Sequence, residues 1–436
     1  MGKGQELYRK AKEIIPGGTM LLSKRPEMFL PEHWPAYYDS AKGCKVIDLD
    51  GTEYLDMCIM GIGTNILGYG HKKVDEAVLK VIDKGNMSTL NCPEEVALAQ
   101  RLIDINPWSE MVRFARTGGE ANSIAIRIAR AASGKDKVAI CGYHGWHDWY
   151  LSANLGQKDG LEGHLLPGLN PLGVPSVLEG NVKPFNYNKL EELQNIISST
   201  PDLGVIKMEV SRNMGPEKGF LEGVRKLASK HGIVLIFDEC TSGFRESFGG
   251  LHMNYGVEPD ICMYGKALGN GYGITAIVGR KSVMEAAQKT FISSTFWTER
   301  IGSAAALATL DVMEKIQSWE IITSKGKEIT KLWKELGLVA GLKIVTNGLP
   351  ALTSFSISHP EWLKYKTYIT QEMLKKNILA SNSIYVSIAH DQVYIKKYFE
   401  MLEPILFTIK DCVNEKESID NLLDGPVCHS GFKRLN

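Results

Sequence analysis

Apolar positions change their period along this chain, and the changes mark its elements. Residues 1–60 start with a short helical pattern and then read extended. Within them, "CKVIDLDGTEYLDM" (44–57) has two alternating runs around Asp50-Gly51, the pattern of a hairpin. From about 61 to 310, apolar runs of strand length alternate with amphipathic helices. That alternation predicts an α/β unit, a parallel sheet covered on both faces. The clearest stretch is 205–240. "VIKMEV" reads as a strand. "LEGVRKLASKHG" reads as a helix with Leu221, Val224, Leu227 and Ala228 on one face and Gly232 as its stop. "IVLIFDE" reads as the next strand. Ligand sites in such sheets collect at the carboxyl ends of the strands. Beyond 311 the pattern is mixed: helices at "DVMEKIQSW" and "YITQEMLKKN", and strands at "LTSFSIS" and "IYVSIAH". Three segments follow: 1–60 as part of a small domain, 61–310 as a large domain, and 311–436 as the C-terminal small domain, an α+β unit sharing its core with the first segment.

Composition narrows the partners. The chain has 436 residues, 44% hydrophobic and 23% charged, with 50 basic and 50 acidic side chains. Zero formal charge and no basic run exclude an electrostatic nucleic-acid binder. The start, "MGKGQELYRK", lacks an apolar signal core, and Glu6 does not fit a myristoylation pattern. No apolar run approaches the roughly 20 residues that span a bilayer, so no membrane partner is expected. Eight cysteines spread from Cys44 to Cys428 without close pairs, as reduced core thiols would. These features lead us to expect a soluble cytoplasmic protein.

Four stretches carry candidate chemistry. Lys266 follows the apolar run Ile261–Tyr264 and Gly265, at the mouth of a sheet rather than on a solvated helix; taken alone it reads as a surface lysine past a strand end. Asp238 ends a buried strand, where a carboxylate needs a partner. It either caps the turn "DECTSGF" or holds a protonated ring nitrogen, and Glu239 is the other candidate, since alternation turns one of the two away. "RTGGEANSIAIRIARAA" (116–132) is a helix with Ala121, Ile124, Ala125, Ile128, Ala129 and Ala132 in one stripe. Thr117-Gly118-Gly119 precede it, either as an ordinary turn or as a phosphate cradle at a helix N-terminus. "GYHGWHDWY" (142–150) places His144 and His147 three apart with no Glu-rich or Cys-rich complement, so no metal site is expected. Its aromatics either pack between domains or stack on a flat ring. A phosphate cradle, an aromatic plate, a buried acid and a strand-end lysine together meet the needs of pyridoxal phosphate: the lysine forms an imine with the aldehyde, and the acid keeps the ring nitrogen protonated.

The chain resembles the class III aminotransferases of the fold-type I pyridoxal phosphate enzymes, in the glutamate-1-semialdehyde aminomutase-like branch. The resemblance runs from "IPGG" (15–18) through "LGYGH" (67–71), "GGEA" (118–121), "YHG" (143–145), "RNMG" (212–215), "DECTSGFR" (238–245), "GKALGNG" (265–271) and "AALATL" (305–310) to "SIAH" (387–390), with 28 positions from Asp238 to Lys266. It implies a large domain with a mostly parallel seven-stranded sheet and a smaller α+β domain. It implies Lys266 as the Schiff-base lysine and proton shuttle, and Asp238 on the pyridine nitrogen. Tyr143 would stack on the ring, Thr117, Gly118 and Gly119 would hold the phosphate, and Asn213 would support Asp238. Thr295 would reach the phosphate of a neighbouring subunit, which makes a homodimer with shared active sites.

Departures fall around the substrate. Gly119 stands where the family often has threonine. "TERIG" (298–302) replaces "GNP". The nearest bases after "PGG" are Lys24 and Arg25, and the stretch "ASNSIYVSIAH" (380–390) holds no acid. A changed substrate pocket is therefore expected. The expected reaction is transfer of an amino group from a small amine or amino-acid donor to a carbonyl acceptor. The alternative is an intramolecular aminomutase, for which 154–175 would serve as a lid. A nicotinamide-dependent oxidoreductase lacks its glycine fingerprint here.

Overall fold

The computed structural model describes residues 2–156, 160–161, 170–211 and 213–431. Two compact units divide the chain: Lys72–Glu320, and Met1–His71 with Ile321–Asn436. The sequence pattern drew its boundaries at 60 and 310. Half of the stretch 154–175, read as a lid, lies outside the described residues.

The Lys72–Glu320 unit is built on a seven-stranded sheet. Its strands are β1 (Met111–Ala115), β2 (Lys137–Cys141), β3 (Val182–Pro184), β4 (Leu203–Met208), β5 (Val234–Glu239), β6 (Ile261–Tyr264) and β7 (Thr275–Gly279). Their order is β1-β7-β6-β5-β4-β2-β3. The pairs from β6 through β5, β4 and β2 to β3 are parallel, and β7 is antiparallel to both its neighbours. Every residue of β4, β5, β6 and β7 is buried, which explains runs such as "VLIF" with no polar alternation. The small stripe of helix Gly118–Ser133 packs on this sheet, with Ala121, Ala125, Ile128 and Ala129 in one cluster with Val138, Val205, Ile236 and Met263. Helix Phe220–His231 buries Phe220, Leu221, Val224 and Ala228 and stops at Gly232 in the left-handed conformation, φ +63°. Parallel pairing brings the carboxyl ends of β2, β4, β5 and β6 to one edge, so the loops starting at Gly142, Glu209, Cys240 and Gly265 share it.

The other unit holds two small sheets. The expected hairpin forms between Lys45–Asp48 and Glu53–Met57. Gly51 has φ +84°, and the Asp48 carboxylate accepts from the amides of Asp50 and Thr52, both at 2.9 Å. Strand Ile378–Ala380 joins this sheet parallel to Glu53–Met57. A second sheet pairs Leu352–Ile357 with Ile344–Asn347 and Ser383–Tyr385. Two sequence readings need correction here. "DVMEKIQSW" is not one helix: Arg300–Ile316 ends, Gln317 adopts φ +50°, and Ser318–Ala340 begins. "IYVSIAH" leaves its sheet after Tyr385, because Ser387 and His390 close a turn in which the Ser387 amide donates to His390 Nδ1 at 3.2 Å. No helix among the described residues is long and apolar enough to cross a membrane. All eight cysteines are free, seven of them buried.

Candidate active site

The last two residues of β5 show how the strand sorts its acids. Asp238 and Glu239 are both buried but point to opposite faces. The Glu239 carboxylate accepts from the amides of Leu251 and His252, from Ser242 Oγ and from His252 Nδ1 at 2.6 Å. Trp108 Nε1 donates to His252 Nε2 at 3.0 Å, so both ring nitrogens are used. Glu239, His252 and Cys262 lie close enough together to be compared with a metal cluster. Their contacts are those of a hydrogen-bond network that holds the loop after β5.

Asp238 faces the strand-end edge. Its Oδ2 is 2.9 Å from His144 Nδ1 and 3.7 Å from Lys207 Nζ, and its Oδ1 accepts from the Cys240 amide at 3.2 Å. Burial alone would raise this carboxyl. The Lys207 charge, then the His144 hydrogen bond and charge, outweigh burial and hold it well below the usual carboxylate range. Lys207 was not singled out in the sequence, although a lysine inside the apolar strand "VIKMEV" was the available signal. His144 is buried against Trp149 and Tyr150. His147, three residues on, meets a different partner: its Nδ1 lies 2.5 Å from Ser123 Oγ.

Lys266 follows Gly265 at the end of β6, the strand paired to β5 with Asp238 opposite Met263. Its backbone is held at φ +43°, a region lysine rarely adopts and one that recurs at functional sites. Its Nζ donates to Thr241 Oγ1 at 2.8 Å, on the turn after Asp238. Lys266, Thr241 and Asp238 thus form one continuous edge.

Thr117 caps the helix Gly118–Ser133. Its Oγ1 accepts from the Glu120 amide at 3.3 Å, and Glu120 Oε2 accepts from the amides of Thr117 and Arg116 at 2.9 and 3.0 Å. This capping box engages the amides at both ends of the turn. The amides of Gly118 and Gly119 remain as first-turn donors, with the positive end of the helix dipole behind them. Gly119 has a packing reason: a Cβ there would sit 3.0 Å from His147 Nε2 and 3.2 Å from Trp146 Nε1. Those rings occupy the space a threonine side chain would need. The His147 imidazole lies below its ordinary pKa because burial disfavours its charge.

Tyr143 is half-buried; its amide donates to Glu209 Oε2 at 2.9 Å, and its ring meets Tyr150 edge-on with centroids 6.1 Å apart. Gly142 has φ +112°, and a Cβ on it would lie 2.6 Å from that same Glu209 oxygen. Glycine therefore lets the loop start against the Glu209 carboxylate. Asn213 is exposed in the loop after β4. It is not among the described partners of Asp238, which are His144, Lys207 and the Cys240 amide. Thr295 is also exposed, in the segment 291–300. That segment is pinned by Arg127 to the Phe291 carbonyl, Arg113 to the Ile292 carbonyl, and Arg116 to the carbonyls of Trp297 and Glu299.

Lys266 and Asp238 stand at the ends of paired strands, and the aromatic loop after β2 shares their edge. Residues 31–340 match the family model described as Aminotransferase class-III, and the chain belongs to that family. It is 33% identical over 390 residues to the 3-aminobutyryl-CoA aminotransferase of Cloacimonas acidaminovorans, covering 87% of this chain and 90% of that one. It is 33% identical over 336 residues to the glutamate-1-semialdehyde 2,1-aminomutase of Methanococcoides burtonii, covering 75% and 77%. The solved FumI protein of Sphingopyxis sp. MTA144 superposes with a TM-score of 0.86 over 97% of this chain and 100% of that one, at 21% identity. The fold is that of the fold-type I transaminases. Pyridoxal phosphate is the cofactor of this family, and the donor set fits it: amides at a helix start suit a phosphate, an ionised acid suits a protonated ring nitrogen, and a primary amine suits an aldehyde.

Proposed function

We propose that the chain transfers an amino group from an amine or amino-acid donor to a carbonyl acceptor, as a cytoplasmic homodimer. The observation that carries this reading is the placement of Lys266 and Asp238 on paired strand ends, with His144 and Lys207 against the Asp238 carboxylate. Bound there, pyridoxal phosphate supplies an aldehyde for condensation with amines and a ring that takes up negative charge. Lys266 holds the cofactor through its amine and, once released, moves the proton on the substrate α-carbon. Asp238 keeps a proton on the ring nitrogen. Gly118 and Gly119 bind the phosphate through their amides, with Thr117 shaping the turn, and Tyr143 covers the ring. Thr295 is offered to a partner subunit, whose own Thr295 completes this site. Eight free cysteines agree with a reducing compartment.

The aminotransferase at 33% identity over most of both chains supports intermolecular transfer. A second reading, intramolecular aminomutase chemistry, is supported by the aminomutase relative. The absence of an acid in "ASNSIYVSIAH" favours the first. The purified protein should absorb visible light after incubation with pyridoxal phosphate, and lose that band on borohydride reduction. A donor alone should then release a carbonyl product in one half-reaction. Isomerisation without a free carbonyl product would select the aminomutase; failure to take up the cofactor would remove both readings.

A further inference from the structure

Asp238 has a buried partner that the chemistry above does not use. Lys207 is the only charged residue in β4, a strand whose six residues are all buried, and its side chain has no solvent exposure. Its Nζ lies 3.1 Å from the Met263 thioether sulfur on β6 and 3.7 Å from Asp238 Oδ2 on β5. A thioether is a weak acceptor, so an ammonium here has given up water for little hydrogen bonding. A methionine or leucine would fill the strand at no such cost.

The titratable groups that face Lys207 come from each neighbouring element. Asp238 and Cys240 come from β5 and its turn, Cys262 from β6, and His144, through its bond to Asp238, from the loop after β2. Lys266 joins this set across Cys240, which feels both lysines. Among them Asp238 has the largest effect on Lys207: burial lowers the lysine, and the carboxylate partly restores it. Opposite charges at this separation in a buried site each favour the other's ionised form.

We propose that Lys207 is a positioning residue that acts through Asp238. It keeps the carboxylate ionised before the cofactor arrives and, by sharing its negative charge, lowers the proton affinity of the cofactor bound against it. This rests on the cofactor reading given above. Asp238 then serves two cations, and its hold on the ring proton is weaker than that of a carboxylate supported by neutral groups alone. Lys207 thus tunes how readily the site gives up a proton, without touching the substrate.

The test uses Lys207→Met, which keeps volume and removes charge, and Lys207→Arg, which keeps charge. Each is loaded with pyridoxal phosphate and its visible band is titrated with pH. Lys207→Met should move the midpoint upward by at least about half a pH unit, because removing a nearby cation favours the protonated cofactor. Lys207→Arg should stay near the parent value. An unchanged midpoint in loaded Lys207→Met overturns the proposal. A double-mutant cycle of Lys207→Met with Asp238→Asn, read by melting of the cofactor-free protein, tests the pair even if a variant fails to load. The double variant should lose less than the two single variants together, and strict additivity overturns the coupling. Failure of the parent chain to take up the cofactor instead overturns the assigned function and, with it, the tuning role.

Discussion

Asp238 and Glu239 are adjacent acids with different duties, and only their surroundings separate them. Glu239 is surrounded by donors that tie down its own loop, whereas Asp238 meets two basic side chains at the strand-end edge. Alternation along β5 showed that one of the two must turn away, but not which one. Lys266 stood out because a lysine follows an apolar strand and a glycine. The lysine inside "VIKMEV" was a signal for Lys207, but the run does not say which group faces it. The expected link from Asn213 to Asp238 does not form among the described residues, since Asn213 is exposed and Lys207 and His144 hold the carboxylate. Lys266→Ala should lower the rate of the amine half-reaction by about 10²–10⁴-fold, the usual loss on removing a general base. Unchanged circular dichroism would show the fold intact, and a variant of parental rate would exclude Lys266 from the chemistry.

Whole elements were legible where local geometry decides them. The hairpin around Asp50-Gly51 follows from a left-handed glycine and an aspartate that caps its own turn. The break at Gln317 was not legible, since "EKIQSWE" has neither glycine nor proline and its helical period runs straight through. The turn after Tyr385 was also missed, because its stabilising partner is distant: His390 Nε2 donates to the Asp56 carbonyl at 2.9 Å while its Nδ1 accepts from Ser387. Both contacts fit a neutral imidazole. Burial, with Lys325 adding to it, moves His390 from 6.5 down to about 4. Above 6.5 neither state of the chain is protonated at this residue. Between 6.5 and about 4 the unfolded chain takes up a proton that the folded chain refuses, so stability falls as pH falls through that window. We expect about 2 kcal/mol of loss from this group between pH 7 and pH 5. Urea unfolding of the cofactor-free protein at both pH values checks it, with His390→Asn showing a smaller difference than the parent.

At the scale of the whole molecule, the proposed dimer sets an expectation for one exposed segment. Thr295 lies on the exposed side of a segment whose backbone is pinned by three arginines, and its neighbours Phe291 and Phe296 are 88% and 69% exposed. Large aromatics on a rigid surface are common interface anchors. Phe296→Glu should therefore weaken the proposed dimer, by roughly 30-fold or more in dissociation constant if Phe296 is an anchor. Sedimentation at several concentrations measures this, and activity per chain should fall on dilution as monomer appears. A variant that remains dimeric at the parent concentrations would move the interface elsewhere.

By itself, the sequence determined the periods of its elements, the exclusion of a strongly cationic partner, and the order of motifs that leads from Thr117 through Asp238 to Lys266. These depend on backbone geometry and on residue identity, which are local. Tertiary structure alone decided which acid faces the site, that Lys207 stands beside it, and that Ile378–Ala380 pairs with Glu53–Met57 across more than half the chain. The physical reason is that charge state and strand pairing depend on desolvation and on neighbours brought from distant positions, and neither is written in the spacing of nearby residues.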